Sequence, residues 1–237
     1  MSVISINDLA NAKTVNAEWK GLYRVGGVAA LIIILFIPIQ VGVFILWPPP
    51  GSVIGWFNLF HENKFLGLLD MDLLLIVDEV LFVFILLALW AALRRTSPSG
   101  MAIALLLGMV GVVAYLASAT AFEMLSLSNQ YITSYNDIDR TSVLAAGKVM
   151  MATWQGTAFD VGYILGAVSG IIIAFMMLKS GIFSKFTAWM GLITNLMMLI
   201  PPTAGTVGLT LSLLSLIPLE IWLIMVAKRL LQLSEGI

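Results

Sequence analysis

From Gly26 to Trp47 nearly every position is apolar and none is charged. A helix rises about 1.5 Å per residue, so a run of this length crosses the roughly 30 Å hydrocarbon layer of a bilayer. Similar runs recur along the chain, and the pattern predicts six spans at about 25–47, 70–93, 100–126, 152–178, 185–204 and 207–227. No internal repeat relates them. The expected architecture is an all-α, polytopic transmembrane bundle forming a single domain over 1–237, with 1–24 as a cytoplasmic N-terminal segment. The mixed, polar start and the full-length first run argue against a cleavable signal, so this run reads as the first membrane helix.

Between the runs the period changes. In "SVIGWFNLFHENKF" Ile54, Trp56, Phe57 and Phe60 are interleaved with Asn58, His61, Glu62 and Asn63, the spacing of a short helix lying flat on the outer surface. "DIDRTSVLAAGKVMMATW" reads as part of an outer cap, with Asp139 or Thr141 as its N-cap. Residues 5–20 read as an amphipathic helix on the inner surface.

Composition reinforces the membrane reading: 60% of residues are hydrophobic and 11% are charged. Soluble domains carry about 25% charged residues. The charges are asymmetric. With alternating spans, Lys13, Lys20, Arg24, Arg94, Arg95, Lys179, Lys185, Lys228 and Arg229 share one side, leaving Lys64, Arg140 and Lys148 on the other. The positive-inside rule then makes both termini cytoplasmic. Trp19, Trp90 and Trp189 fall near the inner boundary and Trp47, Trp56 and Trp154 near the outer one, as in interfacial aromatic belts. No basic domain points to nucleic acid. The absence of cysteine excludes disulfides and thiolate metal sites, and the single His61 excludes bis-histidine haem or a three-histidine zinc site within one chain. No cofactor is expected, and His61 reads as a surface-helix residue.

The second span contains carboxylates. If Asp78 and Glu79 lay outside, Val80–Leu93 would reach only about 21 Å, too little to cross. Arg94 and Arg95 fix the inner end, so Glu79 lies about 22 Å above it. Measured from their own inner basic residues, Gln40 and Asp160 fall about 24 and 28 Å up, and Glu123 near the outer boundary. Asn195 and Glu220 continue the polar series inward, about 15 and 12 Å up. The candidate set for a ligand, proton or cation is therefore Asp78, Glu79, Asp160, Glu123, Asp72, Thr157 and Gln40. Glu79, Asp160 and Glu123 are expected to converge on an outward-facing polar pocket between the second, third and fourth spans. Asp70 and Asp72 suit a solvated helix start, where negative charge complements the dipole. The methionine pairs read as core filler.

A bare carboxylate in lipid costs at least about 2.5–3.5 kcal/mol on insertion scales. No Lys or Arg lies in the spans at this depth, so protonation, a shared proton or a bound cation would offset the charge. No metal site is expected with definite ligands. Gly162, Gly166 and Gly170 form a GxxxGxxxG ridge, whose ordinary meaning is close helix packing and which also offers an oligomer contact.

"GWFNLFHENKFLGLLDMDLLLIVDEVLF", "LALWAALRRTSPS", "TAFEMLSLSNQY" and "MMATWQGTAFDVGYILGA" resemble a family of uncharacterised prokaryotic multi-pass membrane proteins grouped under a domain of unknown function. The resemblance covers most of the chain from about residue 20. It implies six helices and a prokaryotic plasma membrane, and no reaction. The family's recurring acidic positions match Asp72, Asp78, Glu123 and Asp160. Three functions stay open: a small transporter or ion-binding protein with an acidic pocket, an intramembrane enzyme using carboxylates as general acids or metal ligands, and a non-catalytic assembly partner. Short fifth span 185–204, interrupted by "PPTAG", favours the first. No nucleophile elbow, HExxH, phosphate loop or DDxxD motif supports the second.

Overall fold

A computed structural model describes residues 18–71 and 73–236, and all regular structure in them is helical. In chain order the helices are α1 Lys20–Leu46, α2 Val53–Glu62, α3 Lys64–Asp70, α4 Leu73–Leu93, α5 Pro98–Ser118, α6 Ala121–Thr133, α7 Asp137–Trp154, α8 Thr157–Ser180, α9 Lys185–Met197 and α10 Gly205–Glu235. Many starts are set by side-chain oxygens that accept orphan backbone N–H groups: Ser52 from Gly55, Asn63 from Leu66, Ser97 from Gly100 and Ser184 from Thr187. Asn136 caps α7 by accepting from the Asp139 N–H at 2.8 Å. The cap therefore falls one residue before the helix, not at Asp139 or Thr141 as the sequence suggested. The amphipathic helix expected over 5–20 lies almost wholly outside the described residues.

Five helical stretches are long and apolar enough to cross a membrane: Lys20–Leu46, Leu73–Leu93, Pro98–Thr133, Asp137–Ser180 and Gly205–Glu235. The six expected spans thus reduce to five by this measure. Segment 185–204 falls short because α9 has 13 residues and unwinds ahead of Pro201 and Pro202. At about 1.5 Å per residue it is only about 20 Å long.

Neighbouring contacts close a ring. α1 packs on α4 and α10, α5 on α4 and α8, and α9 on α8 and α10; α4 also touches α8. Small residues allow the tightest approaches. A Cβ on Gly162 of α8 would stand 2.8 Å from both the Gly111 carbonyl oxygen and the Tyr115 nitrogen of α5. A Cβ on Gly170 would collide with the Asn195 side chain of α9, whereas Gly166 faces open space within 4 Å. The ridge's outer members are therefore occupied by packing within the chain.

The ring encloses one apolar core, including Ile33, Leu86, Leu89, Met101, Ile173 and Leu223. α2, α3, α6 and α7 build a cap with its own core of Val53, Trp56, Phe57, Phe60, Met71, Ala121 and Met124. Trp56, Phe57 and Phe60 are fully buried there. The short helix read from 52–65 exists as Val53–Glu62, but its aromatic face packs into this cap, and the Ser128 hydroxyl donates to the Phe57 carbonyl at 2.7 Å. At the opposite end the Arg94 guanidinium lies over Trp19 and Trp90, 4.8 and 5.1 Å from their ring centres.

Candidate functional site

Asp78 and Glu79 lie on the apolar helix α4. Asp78 is buried, and its Oδ1 has no hydrogen-bond partner among the described residues. Glu79, one residue on, is partly buried. Asp78 lies close enough to Glu220 of α10 for the two charges to interact, and close enough to Glu79 for the same. Two carboxylates within electrostatic reach of each other are unfavourable when both are ionised. Glu220 is the partner that the candidate set omitted. Its depth was legible, but its electrostatic reach to an acid on another helix was not. Pro218, two residues earlier, removes the N–H that would serve the Leu214 carbonyl, leaving an interrupted backbone beside this acid.

The other described candidates lie on α1, α6 and α8. Gln40 is buried in α1 and its Nε2 donates to the Leu69 carbonyl at 3.1 Å, while its Oε1 has no partner among the described residues. This bond ties α1 to α3. Asp160 stands in the first turn of α8, where a carboxylate suits the helix dipole, and accepts a 2.5 Å hydrogen bond from the Thr203 hydroxyl. Thr157 is exposed. Glu123 is exposed in the first turn of α6, the place of the acid in a capping box; the Thr120 hydroxyl, its formal partner, instead donates to the Met150 carbonyl at 3.4 Å. No hydrogen bond joins Glu79, Glu123 and Asp160 among the described residues. Asp72 lies outside the described residues.

Asp70 departs from its reading as a solvated residue. It is fully buried at the last position of α3, and neither carboxylate oxygen has a hydrogen-bond partner among the described residues. That position also faces the negative end of a helix dipole. Burial pushes its pKa up to about 6. The misreading is physical in origin: polarity beside an apolar run marks a boundary, but not which element folds over it.

No group of three or more His, Asp or Glu among the described residues is placed to hold a metal ion. Two surface concavities lie elsewhere, one between α1 and α4 and one at the α6–α7 corner around Tyr135, Asn136 and Asp139. Comparison with known protein families, curated proteins and solved structures finds no match.

Proposed function

We propose that this is a multi-pass membrane protein whose helical ring holds a proton shared between Asp78 and Glu220, with Glu79 beside them, in the role of the ion site of a small transporter. The observation that carries the reading is the buried Asp78 carboxyl, one of whose oxygens has no hydrogen-bond partner among the described residues, with Glu220 of another helix within electrostatic reach. In an apolar interior two adjacent acids relieve their repulsion by keeping one proton, and such a pair titrates as a unit. An intramembrane acid of this kind is the usual element of a proton relay. Asp160 and Glu123 support a structural role instead, each sitting at a helix start that suits its charge.

The same reading takes six crossings, both termini cytoplasmic and a prokaryotic plasma membrane. Thr203 supports the count. It bonds to Asp160, which lies 20 residues, or about 30 Å, along α8 from Ser180. Segment 185–203 therefore starts beside one end of α8 and finishes beside the other, as a short helix followed by turns. Broken helices of this kind border ion sites in transporters.

A hydrophobic carbodiimide, which attacks protonated carboxyl groups in apolar surroundings, tests the site. Labelling should map to Asp78 or Glu220 and disappear in the Asp78→Asn/Glu220→Gln double variant. Label found only on Glu123 or Asp160 would contradict the proposal.

A further inference from the structure

Beyond the acids, the outer face of the α1–α4 contact carries a groove of about 300 Å³ lined by Arg24, Val25, Val28, Ala29, Ile32, Leu81 and Phe84. We propose that this groove seats an acyl chain of an anionic phospholipid, with the headgroup phosphate held at Arg24. The groove's length fits one leaflet. Arg24 to Ile32 is eight residues, about 12 Å of helix, and half of a roughly 30 Å hydrocarbon layer is about 15 Å. Its walls are apolar and open, with Val25, Val28 and Phe84 exposed by 46, 44 and 37%. They present only hydrocarbon to a neighbour, which suits a lipid tail and no polar ligand.

Charge selects the head. Arg24 is exposed and has no ion pair or hydrogen bond among the described residues. Arg94 and Arg95 lie near the neighbouring Tyr23, and Arg94 is held in place by the Trp19 and Trp90 rings. Lys20 adds a further cation one turn before Arg24, against a single carboxylate, Glu18, on the same stretch. Arg24 alone stands at the mouth of the groove. Anionic headgroups gain from such juxtamembrane cations, whereas zwitterionic ones gain little. The inference rests on the chain being embedded in a membrane and is independent of the shared proton.

Native mass spectrometry of the full chain, titrated with phosphatidylglycerol and with phosphatidylcholine of identical chains, tests it. The wild type should prefer phosphatidylglycerol by at least about five-fold, the equivalent of about 1 kcal/mol per basic residue. Arg24→Gln should erase the preference, and Val28→Trp, which fills the groove from an exposed position, should reduce retention of both lipids. Equal retention of both by the wild type, an unchanged preference in Arg24→Gln, or unchanged retention in Val28→Trp would overturn the proposal. A chain that fails to enter nanodiscs at all would instead overturn the membrane reading beneath it.

Discussion

Asp70 is where a single residue tests the structure most sharply. Its pKa is about 6 in the fold, against an ordinary value of 3.8. Between those values the folded state holds more protons than the unfolded one, so stability falls as pH rises across that window and levels off above about 6. A shift of this size corresponds to about 3 kcal/mol. Asp70→Asn keeps the shape and removes the titration. Measured as thermal unfolding in detergent, the variant should match the wild type near pH 4 and exceed it at pH 7. Parallel pH profiles for the two proteins would show that Asp70 is solvated after all. The contrast with Asp78 shows what residues reveal on their own. The ruler laid from Arg94 and Arg95 could be applied to Asp78 because distance along a helix depends only on that helix. Asp70 is buried where other helices pack against α3, long-range contacts with no mark in the local pattern.

At the scale of elements, apolar runs located the long helices. The breaks inside runs were harder. Segment 100–126 read as one span, yet α5 ends at Ser118 and α6 restarts at Ala121. Apolar residues on both sides of the break hide it, because α6 buries its own face in the cap core. The glycine ridge gives a direct test of packing. Gly162 meets backbone atoms of α5, which cannot move aside as a flexible side chain would. Gly162→Val should therefore cost about 1–3 kcal/mol, the range of overpacking. Gly166→Ala should be neutral or stabilising by up to about 1 kcal/mol, because open space surrounds it and alanine favours helix. Equal melting temperatures for the two variants would contradict the α5–α8 contact.

For the whole molecule, the class was legible and the ring was not. Hydropathy counts helices, but it is blind to which of them are neighbours. Glu79, Asp160 and Glu123 were grouped on shared depth and the lack of bases in the spans, and Glu220 was left out of the candidate set. Orientation can be tested with the cysteine-free chain as its own background. Cysteines at exposed His61 and Tyr135 should react with an impermeant thiol reagent in whole cells, and one at exposed Ser99 should not. The reverse pattern would invert the molecule. Asp78 and Glu220 remain the centre of the account. An isotope-edited infrared titration of the Glu220 carboxyl, identified by its loss in Glu220→Gln, measures their coupling directly. If the two acids share a proton, Asp78→Asn should move the Glu220 midpoint by more than about one pH unit, the mark of strongly interacting sites. A midpoint that stays put when Asp78 is replaced would contradict the shared site.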